Sequence, residues 1–146
     1  RRILHSRDFF RQYQAICTGT PCPQTGSVDL PIGRAPGSAI QRQVCPDGQP
    51  ARTAYRVLST GGGFSLVELT PRTGRTHQLR LHMAALGCPL AGDWLYGTEN
   101  PDLIARPALH AARLELTHPV TGKPLAFSAP LPKDMMIVLE RFVCPS

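Results

Sequence analysis

Most of the chain alternates apolar and polar side chains with the period of two that is typical of half-buried β-strands. Strands are predicted at residues 9–17, 27–32, 51–58, 64–69, 108–116 and 124–128. Turns at residues 59–63 and 118–123 join the last four of these segments into two hairpins. Along 64–69 both the odd-numbered and the even-numbered positions carry apolar residues, so we expect both faces of the sheet to be partly covered.

A helical period of 3.6 residues appears twice, at residues 75–86 and 135–142. Each predicted helix would dock on the sheet through an apolar stripe, which consists of Leu79, Met83 and Leu86 in the first helix and of Met136, Leu139 and Val143 in the second. With six strands and only two helices, the pattern predicts an α+β fold, in which a mixed, mostly antiparallel sheet has few flanking helices.

Arg80 lies at the margin of the first stripe, where an arginine loses solvation and needs an anionic partner. Its partner is either a nearby carboxylate such as Asp93, in a structural ion pair, or a catalytic acid that the arginine orients. His77 and His82 project about 140° apart on the same helix and cannot share a metal ion.

Tyr13 lies within the first predicted strand, where it is either a half-buried aromatic residue that uses its hydroxyl as a polar handle or a site residue. His110 and His118 lie on a predicted strand and a predicted turn. We expect both histidines to be hydrogen-bonded structural residues and not ligands.

Composition favours one soluble globular domain, since 146 residues with 42% hydrophobic and 18% charged side chains match that class. No apolar run approaches the roughly 18 residues of a membrane span, and the first six residues lack the apolar centre of a signal peptide. The five cysteines are odd in number and include no Cys-x-x-Cys, so we expect free thiols, no metal site and an intracellular, preferably cytoplasmic, location.

Positive charge is concentrated in the first part of the chain. Residues 1–82 contain eleven arginines against four acidic residues, and the net charge of the whole chain is +6. The planar fork of arginine suits phosphate groups and base edges, although codon bias also produces arginine-rich sequences. Arg34 and Arg42 fall on a predicted loop, where they either reach a phosphate backbone or are simply solvated.

Two runs in the middle of the chain resemble the RluA-type pseudouridine synthases. The first is Thr-Gly-Arg-Thr-His-Gln-Leu-Arg at residues 73–80, and the second is Leu-Gly-Cys-Pro-Leu-Ala-Gly-Asp at residues 86–93, followed by Tyr96 and Gly97. Weaker likenesses lie at residues 11–15, 28–34, 109–111 and 118–119, so the resemblance extends over residues 7–131.

The resemblance implies that uridine in structured RNA is isomerised to pseudouridine without a cofactor. In this family the uridine is flipped out of its stack, an aspartate cleaves the bond to the ribose, and the uracil is turned and rejoined through carbon. Carried over to this chain, Tyr13 would stack on the base and assist proton removal, and Arg80 would pair with the aspartate. The residues expected to face RNA are Arg75, His77 and Gln78 in the wall of the pocket and, more loosely, Arg72, Arg34 and Arg42.

The family's aspartate lies in an upstream His-Arg-Leu-Asp-x-x-Thr-Ser-Gly motif, which this sequence does not contain. Asp8 is in a different context and is not a substitute. We therefore interpret residues 1–146 as the C-terminal part of one pseudouridine synthase catalytic domain. The alternatives are a non-catalytic RNA-binding fragment or short form, and an incomplete sheet that awaits a partner half.

Overall fold

The computed structural model describes residues 9–143, so Asp8, Cys144 and the first six residues lie outside the described part of the chain. Its centre is a six-stranded sheet in the order β2-β5-β6-β1-β7-β8, and a two-stranded sheet of β3 and β4 lies beside it. The strands are β1 Phe10–Thr18, β2 Thr25–Asp29, β3 Ile32–Arg34, β4 Arg42–Val44, β5 Arg52–Gly61, β6 Phe64–Pro71, β7 Leu109–Thr117 and β8 Pro124–Ser128.

The α+β fold with a mostly antiparallel sheet is confirmed, and every pairing between these described strands is antiparallel. Both predicted hairpins are present, as β5–β6 and β7–β8. The first closes through Gly62 and Gly63, which both have positive φ angles, of 59° and 85°. This conformation matches the twist of the flanking strands and favours glycine.

The predicted strand at residues 27–32 is wrong as a single element. Pro31 has no N–H with which to continue a ladder, and the chain divides there into β2, which pairs with β5, and β3, which pairs with β4. The predicted loop that carries Arg34 and Arg42 is also corrected, because these two residues are cross-strand partners in the β3–β4 pair.

The first helix, α1, spans Gln78–Ala85 and not residues 75–86. Its N-cap residue, His77, has a φ of 58°, a left-handed conformation that a helix cannot contain. Leu79 and Met83 are buried as predicted, whereas Leu86 caps the C-terminus and is 37% exposed.

The last helix, α2, spans Lys133–Val138 and continues as one wide π-helical turn over Leu139–Val143. Its buried side chains include Met135, Val138 and Val143. The prediction that Met136 docks on the sheet is wrong, because this side chain is 45% exposed.

Helices cover both faces of the sheet. On one face Ala15, Val67 and Leu69 pack in the same apolar cluster as Leu79 and Met83 of α1. On the opposite face Ile16 clusters with Met135 and Val138 of α2. Alternate residues of β1 and β6 therefore enter two separate cores, and the expectation that both faces are covered at residues 64–69 is confirmed.

None of the described helices is long and apolar enough to cross a membrane. Among the described cysteines, Cys17, Cys22, Cys45 and Cys88 are free thiols, as expected. Burial raises the pKa of the Cys17 and Cys88 thiols, with neighbouring Cys88 adding to the effect at Cys17, so both are poor nucleophiles.

Candidate functional site

A cavity of about 250 Å³ lies where the first strand meets the start of α1. Its lining residues come from β1, the end of β6, the turn into α1, α1 itself and the start of β7: Arg11, Tyr13, Pro71, Thr73, Gly74, Arg75, His77, Gln78, Leu79, Arg80 and Leu109. Both predicted catalytic residues, Tyr13 and Arg80, are therefore brought to one cavity, which we call the base pocket.

Tyr13 is positioned by the centre of the sheet. It pairs with Leu69 of β6 on one side and Ala111 of β7 on the other, and the β1–β7 register shifts between Gln12 and Tyr13. A shift of this kind re-aims the side chains next to it and is common beside active sites. Tyr13 is half-buried, as expected for a strand aromatic that also borders a cavity.

Arg11 is a cavity residue that the sequence analysis missed. It lies two positions before Tyr13 on the same strand, and its Nη2 donates to the backbone oxygen of Thr73 at 2.8 Å. A Cβ atom on Gly74 would lie 3.1 Å from this nitrogen, so the glycine leaves room for the guanidinium. The period of two, which places Arg11 and Tyr13 on one face of the strand, was the signal that could have identified it.

Arg80 makes a bidentate ion pair with Asp93. Its Nε and Nη2 donate to the two carboxylate oxygens at 3.0 and 2.8 Å, and the Asp93 side chain has no exposed surface. The same carboxylate accepts the backbone N–H groups of Leu95 and Tyr96, both at 3.0 Å. Of the two predicted partners for Arg80, the structural carboxylate is the one found among the described residues.

The electrostatics of Asp93 follow from these contacts. Burial raises the pKa of its carboxyl, but the hydrogen bonds from Arg80 and from two backbone N–H groups outweigh burial and hold this pKa below its usual value. Asp93 is therefore an anion whose two oxygens both accept hydrogen bonds, and it anchors Arg80 at the edge of the base pocket.

Tyr96 connects three parts of the site. Its ring lies 5.3 Å from the Arg80 guanidinium carbon and contacts the His77 ring edge-on, with 5.5 Å between ring centroids. Its hydroxyl lies 2.8 Å from Nδ1 of His77 and accepts the backbone N–H of Arg42 at 2.9 Å. The loop after α1 thus joins the base pocket to the β3–β4 pair.

The pKa of His77 is lowered, first by burial and then by the positive charges of Arg80 and Arg42, against a smaller opposing effect of Asp93. The imidazole is therefore neutral at physiological pH. His77 is also the one non-glycine residue with a positive φ in the described part of the chain. Strained backbone of this kind often occurs at functional sites.

Gln78 is nearly inaccessible, at 4% exposure, and its amide makes four hydrogen bonds within the protein. It donates to Arg52 O and Thr53 Oγ1, both at 2.9 Å, and accepts from Thr73 Oγ1 at 2.7 Å and from the N–H of Arg75 at 3.1 Å. Gln78 therefore builds the wall of the pocket, with its polar groups already occupied by protein partners.

His82 extends this buried network. Its Nε2 donates to the carbonyl of Leu30 at 2.9 Å, so its Nδ1 accepts the hydroxyl proton of Thr53 at 2.8 Å. Burial lowers the pKa of His82, which agrees with a neutral ring. The predicted structural role of His110 is also found, since its Nε2 lies 3.0 Å from Ala129 O, and His118 Nδ1 accepts two backbone N–H groups in its turn.

A second, larger cavity of about 410 Å³ adjoins the base pocket, and Gly74 and Arg75 line both. Arg34 and Arg42 line its other side, so three of the predicted RNA-facing arginines meet there. We call this cavity the arginine cleft. Arg42 directs its Nη1 toward the carbonyls of its own loop, within 3.1–3.4 Å, whereas Arg34 is exposed.

Two features limit what the described residues can do by themselves. Arg72 is exposed but lines neither cavity, so the structure does not bring it to the other predicted site residues. No carboxylate lines the base pocket within residues 9–143, and that range holds no cluster of side chains that could bind a metal ion. The described residues of the base pocket thus provide three arginines, a tyrosine and an imidazole, but no carboxylate.

Comparisons with known proteins agree on one family. A family model described as RNA pseudouridylate synthase matches residues 1–85. The protein named Uncharacterized RNA pseudouridine synthase from Chloroflexus aurantiacus is 50% identical over 130 residues, which are 88% of this chain and 41% of that protein. Ribosomal large subunit pseudouridine synthase D of Nitrosomonas europaea is 43% identical over 147 residues, covering 95% of this chain and 42% of its own length.

The solved structure named Human RNA Pseudouridylate Synthase Domain Containing 1 superposes with a TM-score of 0.78 at 30% identity. The match covers 94% of this chain and 60% of the human chain. The chain thus spans less than half the length of the two bacterial relatives above.

Proposed function

Because the chain belongs to the RNA pseudouridylate synthase family, we propose that it forms the uridine-binding part of an enzyme that isomerises uridine to pseudouridine in structured RNA. The observation that carries the proposal is the meeting of Tyr13 and Arg80 in one cavity beside an arginine-lined cleft. A flipped uracil would occupy the base pocket, and the RNA backbone on either side would follow the arginine cleft.

Tyr13 would stack on the flipped base and assist removal of a proton. Its position supports this role, because it borders the pocket from a rigid central strand and not from a mobile loop.

The nucleophilic aspartate would come from a His-Arg-Leu-Asp segment upstream of residue 1 in the parent protein. Two observations support this division of the domain: the described part of the base pocket contains no carboxylate, and the matched relatives are more than twice as long as the aligned segment. Asp93 is a poor candidate, since it is fully buried and already accepts four hydrogen bonds.

Arg80 would then face the incoming aspartate from its anchored position. Its ion pair with Asp93 leaves Nη1 without a described protein partner, and its side chain is 14% exposed. A guanidinium has five N–H donors, of which the Asp93 pair uses two. One arginine can therefore bind Asp93 and orient a second carboxylate at the same time.

RNA is the proposed partner, and the specific RNA and uridine are left open, as is the oligomeric state. An intracellular, cytoplasmic location would follow from such a substrate. The test is release of tritium from RNA that contains 5-tritiated uridine, measured with a longer protein in which the aspartate segment precedes residue 1. Release is expected from that protein and not from residues 1–146 alone. Absence of release from a broad RNA pool would overturn the proposed activity, whereas RNA binding without turnover would favour a non-catalytic RNA-binding protein.

A further inference from the structure

The hydrogen bonds of Tyr96 lie next to the nitrogen of His77 whose protonation matters for the base pocket. The Tyr96 hydroxyl has one proton to donate, and it already accepts the backbone N–H of Arg42 at 2.9 Å. Its other partner among the described residues is Nδ1 of His77, at 2.8 Å. Nδ1 is the only acceptor for the hydroxyl proton among the described residues, and when the hydroxyl donates there, a neutral imidazole carries its own proton on Nε2.

The environment of His77 keeps the ring neutral, which this assignment requires. Burial and the positive charges of Arg80 and Arg42 lower the pKa of His77, and the negative charge of Asp93 only partly opposes them. A cationic ring would place a third positive charge beside two arginines. The neutral ring with its proton on Nε2 is therefore the form that fits the site.

Nε2 of His77 reaches solvent. This nitrogen has no hydrogen-bond partner in the described part of the chain. Every buried side-chain nitrogen and oxygen there does have a partner, so Nε2 must be accessible to solvent. His77 lines the base pocket together with Tyr13 and Arg80. The left-handed backbone at His77, with a φ of 58°, is the conformation that holds the ring at this place.

We propose that Tyr96 is a positioning residue that fixes His77 as an Nε2–H donor, and that this donor binds an oxygen of the uridine nucleotide in the base pocket. The inference rests on the proposed function and adds to it a specific recognition contact. The accepting oxygen belongs to a uracil carbonyl or to the adjacent phosphate, both of which accept hydrogen bonds. The same Tyr96 hydroxyl also accepts the backbone N–H of Arg42, which lines the arginine cleft. One hydroxyl therefore positions a residue of the cleft and a residue of the base pocket.

The protonation state can be measured on this chain without RNA. Two-dimensional 15N NMR of the histidine rings at pH 7.5 should show His77 neutral with the proton on Nε2. In Tyr96→Phe, which keeps the aromatic ring but removes the hydroxyl, a mixture of the two tautomers is expected. An Nδ1-protonated or cationic His77 in the unmodified chain would overturn the inference, as would an unchanged tautomer in Tyr96→Phe.

Binding of a labelled, uridine-containing single-stranded RNA tests the contact itself. The amide nitrogen of glutamine reaches the place of Nε2, whereas that of asparagine reaches the place of Nδ1. His77→Gln should therefore retain affinity within about two-fold, and His77→Asn should lose about five-fold, the value of one hydrogen bond. A purely structural role predicts the reverse order, since asparagine tolerates a positive φ better than glutamine does.

Two further measurements separate the possible outcomes. Binding to the same RNA with an abasic site in place of the uridine assigns the acceptor: a loss in His77→Asn that disappears on this RNA indicates a carbonyl oxygen, and a loss that persists indicates a phosphate contact. His118→Gln, in an exposed turn, is the control and should bind like the unmodified chain. If the unmodified chain binds no RNA, the contact fails, whereas the proposed activity is judged separately by tritium release from the longer protein. If it binds and both His77 variants bind equally well, only the present inference fails.

Discussion

Asp93 and Arg80 form a closed ion pair in which the carboxylate is fully buried and the guanidinium is 14% exposed. Both carboxylate oxygens are engaged, one by Nε and the other by Nη2 of the arginine. Two backbone N–H groups complete the shell of the carboxylate. The loop after α1 is therefore held to the helix by a charged contact from which water is excluded, and the position of Arg80 in the base pocket depends on it.

Asp93→Asn should lower the free energy of unfolding by about 3 kcal/mol, because it leaves a largely buried guanidinium without its counter-charge. The matched control is Asp134→Asn. Asp134 also makes a two-bonded pair with an arginine, Arg106, but there both side chains are about 40% exposed. A loss below about 1 kcal/mol is expected for the control. Urea unfolding measures both, and equal losses would contradict the argument.

The acid dependence of stability should change in the same variant. Because the folded-state pKa of Asp93 is depressed, its contribution is complete above the unfolded-state value of about 3.9 and is lost as the pH falls through the folded-state pKa. Stability of the unmodified chain should therefore decline below about pH 4 more steeply than that of Asp93→Asn. Urea midpoints at a series of pH values from 2 to 7 would measure the difference, and parallel curves would show that Asp93 titrates normally.

Local patterns in the sequence were sufficient to predict β1 and the two hairpins, but not the division into β2 and β3 or the presence of β4. The two hairpins have the predicted partners, and Ser65, Val67 and Leu69 lie on the opposite side from Phe64 and Leu66. Periodicity shows only which side of a strand is buried. It therefore predicts the pairing correctly where consecutive strands in the sequence are also neighbours in the sheet.

Helix boundaries and the site were harder to predict, because tertiary contacts determine them. Arg75 fits a helical pattern, yet its N–H donates to the Gln78 side chain, and α1 begins three residues later. Tyr96 contacts the backbone of Arg42 across 54 positions, and no spacing rule indicates that contact. Only the family resemblance predicted that Tyr13 and Arg80 lie in one site. The position of Arg80 at the margin of the apolar stripe did not decide between its two possible partners.

Gln78→Ala should destabilise the fold strongly, although Gln78 lies at the edge of a cavity. It removes four hydrogen bonds and leaves buried Thr53 without the donor that orders its hydroxyl toward His82. A loss of about 2–3 kcal/mol in the free energy of unfolding is expected. The control is Gln12→Ala, whose single side-chain bond to Thr70 is long, at 3.4 Å. Chemical denaturation would contradict this account if the two variants lost similar amounts.

Arg34→Gln should weaken binding to single-stranded RNA and reduce its salt dependence. An exposed arginine at the rim of the arginine cleft would neutralise one phosphate, so the slope of log affinity against log salt should become shallower by about 0.7. Arg56→Gln is the control, since Arg56 is 59% exposed on β5, is paired with Glu68 and lines neither the arginine cleft nor the base pocket. Fluorescence anisotropy between 50 and 300 mM salt would measure both slopes. Equal slopes in the two variants would place the RNA backbone elsewhere.

Tyr13→Phe should separate binding from chemistry in the longer protein that carries the aspartate segment. Phenylalanine keeps the aromatic face on which the flipped base would stack, so RNA affinity should change less than two-fold, while loss of the hydroxyl removes the group proposed to assist proton removal. General acid–base groups contribute roughly 10²-fold or more to rates, so tritium release in a single turnover should fall by about 100-fold. Tyr55→Phe is the control, because its hydroxyl donates to Pro23 O at 2.8 Å in a different part of the fold, and its turnover should be unchanged. An unaltered rate in Tyr13→Phe would restrict Tyr13 to stacking.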